Sequence, residues 1–388
     1  MKIVSFITYD SYVGPISLFQ SRKPLSEFEH HTFLISKKAK LLSARQLASH
    51  QLLNFSQILF SELASCAALK EADLVLVGAG GKPANDICLA VKAVNPNAKT
   101  VCFFPGICLV DHYWGLLSRI NADYLLLNTE DELDDYVGLC KVFGFDPSNA
   151  IVAGYPFRTN QIGRKITSFD DIQRITLFDQ NVIPATVDAR VALVEGLAKL
   201  AKSLPDKEIL IKVRSKKGEK SSHRALYHIQ SIASPLRKFD NVSFVVESMS
   251  SILPKTDLAL SVSSTALLEA GLAGVRFGSI MGLGVSDLNK NSYFLGSDTG
   301  VTFESLANRQ LPALPKPDWA NRYMKSSEDV FHTVLDDMRS STRGLRPHFE
   351  LGEIQKVYYV DPQDYISKKI GGFSKAARSW LATLISPL

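Results

Sequence analysis

Cysteine is scarce in this chain of 388 residues, with five: Cys66, Cys88, Cys102, Cys108 and Cys140. The number is odd, all lie in the first half, and no two form a C-x-x-C pair. That argues against a disulfide framework or a zinc site and fits a reducing cytoplasm. Long apolar runs are missing too. Nothing approaches the ~18 uninterrupted apolar residues of a membrane-spanning helix. Residues 1–8, with one positive charge and a short apolar run, read as a first strand and not as a secretion signal. Charge of one sign is not concentrated either. The 44 Lys and Arg against 39 Asp and Glu leave +5, less than nucleic-acid binders usually gather. Asp-x-Asp, HExxH, G-x-S-x-G and clustered Cys/His are all absent, so neither a metal, a cofactor nor a hydrolase triad is expected.

What is present is an ordinary globular balance, 46% hydrophobic and 21% charged, in a chain long enough for two cores. Short apolar runs at 3–8, 32–35, 73–77, 100–104, 124–127 and 151–153 alternate with helical periodicity, as over 43–69 and Glu130–Phe143. Continuous Val/Ile/Leu runs between helices indicate parallel strands covered on both faces. After a polar stretch at 158–174 a second series begins. Its strands are expected at 175–178, 209–213, 242–246 and 258–262, with helices at 189–203, near 224–236 and from 265. Two α/β units joined near 157–173 follow. The apolar residues Phe373, Trp380, Leu381, Leu384 and Ile385 recur at helical spacing with Lys375 and Arg378 among them. They read as a terminal helix that packs on the domains, rests on an anionic membrane surface, or does both.

Several constellations could carry chemistry. Ser261-Val-Ser-Ser-Thr265 ends a strand and opens the helix Ala266-Leu-Leu-Glu-Ala-Gly271. Such hydroxyls cap helices, and a helix start also suits a phosphate. Lys212, Arg214, Lys216, Lys217, Lys220 and Arg224 crowd together with Glu219 the sole acid. Lys212 and Arg214 sit at a strand's carboxyl end, where crevices open in α/β sheets. Fixed cations there would stabilise a departing phosphate without a metal; Lys217 and Lys220 read equally as a solvated loop. Asp10 follows the first strand beside Ser11, and is either a general base or a helix cap. Gly78-Ala-Gly-Gly81 follows the strand at 73–77 without a nucleotide-binding spacing, and would let a ligand approach the backbone. Phe104-Pro-Gly106 with Asp111 and His112 marks a third cleft edge, where His112 beside Tyr113-Trp114 reads equally as a structural histidine.

The strand, Ser263-Ser-Thr265 and Leu-Leu-Glu-Ala-Gly-Leu-Ala-Gly274 resemble the donor-binding turn of GT-B glycosyltransferases, in the serine form of sialyltransferase-like and Kdo-transferase-like members. Asn128-Thr-Glu-Asp-Glu132, Gly154-Tyr-Pro156 and Ile175-Thr-Leu-Phe-Asp-Gln180 with Pro184 and Arg190 fit the same family, although the Lys-x-His-Pro of many relatives is missing. The resemblance covers most of the chain. It implies two Rossmann-like domains facing a cleft: an acceptor-side domain at 1–157 and a donor domain at 174–362. A C-terminal helix at 363–388 would cross back to the first domain or rest on the membrane. It implies donor contacts from Ser263, Ser264, Thr265 and Glu269, to which the strand-end turn and the basic loop add Ser261, Lys212, Arg214 and Lys216 as expected donor contacts. Asp10, Glu130 and Asp111 are the candidate catalytic carboxylates, and Ser11, Gly78, Gly80, Gly81 and His112 face the acceptor. The expected reaction moves a CMP-activated nonulosonic acid or Kdo to a surface polysaccharide, capsule or lipopolysaccharide, or a lipid-linked glycan. The expected protein is cytoplasmic, either free or peripheral at the inner membrane, with no nucleic-acid partner. A UDP-sugar 2-epimerase of the same fold, needing paired acids and a histidine in the cleft, and a non-catalytic polysaccharide-assembly protein are the rival readings.

Overall fold

Apolar runs become strands because both of their faces are covered. In β1 (Lys2–Ile7), Ile3, Val4, Phe6 and Ile7 are all at most 1% exposed. The computed structural model describes residues 1–36, 55–108, 113–157, 162–215, 228–286, 288–327 and 329–340. The first sheet continues with β2 (Glu29–Ser36), β3 (Ser56–Leu59), β4 (Leu74–Gly78), β5 (Lys99–Phe103), β6 (Tyr124–Leu127) and β7 (Ala150–Val152). The second holds β8 (Arg174–Phe178), β9 (Glu208–Lys212), β10 (Val242–Val245), β11 (Leu258–Ser261), β12 (Arg276–Ile280) and β13 (Gly300–Val301). Their orders are β3-β2-β1-β4-β5-β6-β7 and β10-β9-β8-β11-β12-β13. Every pairing is parallel.

The longer helices are α1 (Val13–Ser21), α2 (Lys82–Val94), α3 (Glu130–Phe143), α4 (Val187–Ser203), α5 (Ala266–Leu272), α6 (Pro317–Tyr323) and α7 (Val330–Ser340). α3 starts where Thr129 accepts the Glu132 amide at 3.2 Å and stops at Gly144 in the left-handed region. α4 buries Leu193, Val194, Leu197 and Leu200 against Ile175, Leu177, Ile209 and Ile211. On the opposite face of that sheet α5 packs with Phe178, Ala259 and Phe277.

The chain crosses between the sheets twice. Tyr155 and Phe157, leaving β7, join the core around α5 and Trp319. The Tyr155 amide donates to Lys325 O at 2.8 Å and Ser327 returns to Tyr155 O at 3.0 Å, so the two crossings run side by side. Gly154 is required there: its φ is +84°, and a Cβ would stand 2.8 Å from the Lys325 and Ser326 backbone. α7 then returns to the first sheet, with Phe331 edge-on to Phe19 at 4.8 Å and Tyr124 donating to Asp337 at 2.7 Å. Residues 330–340, inside the span expected of the second domain, therefore belong to the first core. Both sheets lie in one compact unit, Met1–Gly344.

The helix expected over 43–69 is corrected where it is described: Ser56–Leu59 is an edge strand, followed by a 3-10 turn at Phe60–Ser65. The terminal helix expected over 363–388 lies outside the described residues. Among those described, no helix is long and apolar enough to cross a membrane.

Candidate active site

Each sheet has a switch point, β1 beside β4 and β8 beside β11, where chain direction diverges and α/β proteins open a ligand crevice. At the second, the loop after β8 is built on a buried ion pair. Arg190 Nη1 donates to Asp179 at 3.0 Å, with the two side chains 2% and 3% exposed. Arg190 also donates to the carbonyls of Pro184, Ile183 and Gln180. Burial pushes the Asp179 carboxyl up to about 6 against the pull of Arg190. The adjacent Gln180 side chain accepts from the Ser263 amide at 3.0 Å and from Ser261 Oγ at 3.3 Å. The arginine thus fixes the loop, and the loop fixes the serine turn.

The hydroxyls of that turn are largely engaged. Ser261, 1% exposed, donates to Phe178 O at 2.7 Å and ties β11 to β8. Ser264 Oγ accepts the Ala266 amide at 3.2 Å. Thr265 occupies the cap position of α5 without bonding to the helix. Its Oγ1 accepts instead from the Ile107 amide at 3.1 Å, across to the first sheet. Gly106 permits the approach, since a Cβ there would meet Thr265 Oγ1 at 2.6 Å. One turn into α5, burial pushes Glu269 up to about 7, with Lys212 pulling the other way.

A second link joins the halves. Arg214 Nε and Nη2 donate to the two Asp10 oxygens at 3.0 and 2.8 Å, with Asp10 side chain 9% and Arg214 31% exposed. Asp10 opens a 3-10 turn directly after β1 that includes the partly buried Ser11. The strand-end cation and the strand-end acid, read separately in sequence, meet here.

Glu130 is exposed and pairs with Lys325 at 2.8 Å. Two residues on, Glu132 is 5% exposed. It accepts from the Asn128 amide at 2.7 Å and the Cys108 amide at 3.4 Å, and burial pushes it up to about 7. Asn128 holds Gly106 O at 2.9 Å, so together these residues hold the loop that touches Thr265. Sequence reasoning missed Glu132, although Thr-x-x-Glu at a helix start is the pattern of a side chain reaching back to the preceding backbone. Gly78 ends β4 in tight packing, where a Cβ would meet Ile16 Cδ1 at 2.8 Å, whereas Gly80 and Gly81 are partly exposed. Asp111, His112 and Lys216 lie outside the described residues. Among the described residues no group of His, Cys, Asp and Glu could hold a metal.

A family model described as "Putative glycosyltransferase (DUF6716)" matches residues 10–338. The chain belongs to this family. No curated protein matches the sequence. Solved structures of the same fold include a "putative UDP-N-acetylglucosamine 2-epimerase" from Listeria monocytogenes, 13% identical with a TM-score of 0.60, covering 90% of this chain and 99% of its own. The S. aureus MnaA–UDP co-structure has 11% identity and a TM-score of 0.60 over the same shares. The Methanocaldococcus jannaschii UDP-GlcNAc 2-epimerase in complex with UDP-GlcNAc and UDP has 13% identity and a TM-score of 0.57, over 87% of this chain and all of its own. At such identities the likeness is one of fold, and the fold is GT-B: two Rossmann-like sheets, α/β throughout.

Proposed function

We propose that this DUF6716 member transfers a sugar from a nucleotide-sugar donor held at the carboxyl ends of β8, β9 and β11. The observation that carries the reading is Lys212, within electrostatic reach of Glu269, together with the Gln180-braced serine turn at the carboxyl ends of the second sheet's strands, where Arg214 follows β9 and pairs with Asp10. Lys212 and Arg214 neutralise the diphosphate and the charge it gains on leaving. Ser263 and Ser264 line the phosphate, and Glu269 accepts from a ribose or sugar hydroxyl. The acceptor oxygen attacks the anomeric carbon as the bond to phosphate breaks, and its proton passes to Asp10. Both Asp10 oxygens accept from Arg214 and keep a further lone pair each; the donor's phosphates, drawing Arg214 away, free the carboxylate to take that proton. Thr265 and Ser261 serve the closure of the turn and not the donor.

The donor nucleotide we favour is uridine. Neighbours of this fold are described with UDP, and nothing in the geometry favours the cytidine-linked acidic sugar suggested by the serine turn. Epimerisation of a UDP-sugar is the second reading, favoured by fold neighbours that span 87–90% of the chain. Incubating the full chain with UDP-GlcNAc separates the two. Slow release of UDP, with GlcNAc passing to water in place of the acceptor and the remaining donor unchanged at C2, is the expected result. Conversion to the C2 epimer without UDP release would overturn transfer in favour of epimerisation.

A further inference from the structure

Gln180 stands just past the end of β8, the strand that lies between β9 and β11. Phe178 pairs with Lys212 across the sheet, and the Asp179 amide donates to Lys212 O at 3.0 Å. The backbone carbonyl of Gln180 is held by the buried Arg190. Its carboxamide is oriented by a group of fixed polarity. The Ser263 amide, at 3.0 Å, can only donate, so the oxygen end of the carboxamide faces it. The NH2 end is thereby turned to Ser263 Oγ, 3.5 Å away, and can only donate there. Ser263 Oγ is therefore an acceptor towards Gln180, and its own proton points elsewhere.

That proton has no acceptor among the described residues, although Ser263 is only 8% exposed. The other hydroxyls of the turn are served differently. Ser261 donates to Phe178 O at 2.7 Å, while Ser264 and Thr265 are partly exposed, within reach of water. A buried hydroxyl proton without an acceptor costs free energy, and an acceptor brought by a ligand recovers it. The spot beside Ser263 thus offers a donor at the end of β11, next to the strand end that carries Lys212. It selects an oxygen that accepts without donating, as a phosphate oxygen does.

We propose that Gln180 is a positioning residue of the donor site, turning the Ser263 hydroxyl outward to donate to a phosphate oxygen of the nucleotide. The inference rests on the donor reading above and adds the residue that sets the polarity of the phosphate contact. In Gln180→Glu the side chain keeps its length and still accepts from the Ser263 amide, so the turn stays braced. The carboxylate cannot donate, so it accepts the Ser263 hydroxyl proton and draws it inward. It also adds a negative charge, and Ser263→Ala is the background in which only that charge is felt. The measurement is calorimetric titration of UDP into the full chain, Gln180→Glu, Ser263→Ala and the double variant, with melting temperatures as the check on folding. Ser263→Ala is expected to weaken UDP about tenfold. Gln180→Glu is expected to cost about fivefold more affinity when Ser263 is present than in the Ser263→Ala background. Where Gln180→Glu does not fold, Gln180→Met runs the same cycle without an added charge, again with the larger loss when Ser263 is present. A brace acting on the backbone alone gives equal losses in both backgrounds, and that result would overturn the proposal, as would unchanged UDP affinity in Ser263→Ala. A folded wild type that binds no UDP brings down the donor reading and this inference together, whereas UDP binding with equal losses brings down the inference alone.

Discussion

Buried charge sets the character of individual residues here. Asp179 and Arg190 pair within the interior, and the arginine ties three carbonyls of the loop that supports the serine turn. Removing one partner strands the other, so Arg190→Ala should cost about 3–5 kcal/mol in denaturant unfolding. A loss under about 1 kcal/mol would contradict this. Glu132 and Glu269 are held up to about 7, above the ordinary value of about 4.3. Their folded forms bind protons that the unfolded chain has released, so they lower stability as pH rises from about 4.3 to about 7. Melting curves across that window should show Glu269→Gln gaining on the wild type as pH rises, with the gain levelling off above about 7. Parallel curves would remove Glu269 as a source of the slope. Neither role was legible in sequence. Thr265 and Ser261 look like the other hydroxyls of the turn, and only the fold decides which accepts from Ile107 and which bonds within its own sheet.

Elements were legible where burial makes the pattern. α3 was expected at the residues it occupies because its cap, acidic first turn and terminal glycine agree with its apolar period. The residues of β3 are mostly exposed, so no apolar run announces this edge strand, and residues 43–69 read as one long helix. β12 is interrupted by Gly278 and Ser279, and β13 has two residues, so neither presents a run. The crossings depend on one position that pattern reading does not reach. Gly154→Ala would force a Cβ against the Lys325 and Ser326 backbone in a left-handed conformation. It should lower stability by roughly 1–3 kcal/mol or more. An unchanged melting temperature would show that the crossings can part without cost.

At the scale of the whole molecule, two parallel sheets were readable because each repeats strand and helix around its own apolar core. The link between them was not readable, since it rests on contacts between residues far apart in sequence, among them Arg214 with Asp10, Thr265 with Ile107, Lys325 with Glu130, and α7 on the first core. The Arg214–Asp10 link lies at the proposed donor site, so donor binding is expected to compete with that contact. Asp10→Asn distinguishes two roles. A base alone would lose turnover with nucleotide affinity unchanged, whereas the coupled arrangement also changes UDP affinity, because the partner that competes for Arg214 is weakened. The most direct measurement is calorimetric titration of UDP, GDP and CMP into the full chain and into Arg214→Ala. The account predicts UDP binding to the wild type in preference to CMP, weakened tenfold or more in Arg214→Ala. A folded wild type that binds none of the three nucleotides, or UDP affinity untouched in Arg214→Ala, would contradict it.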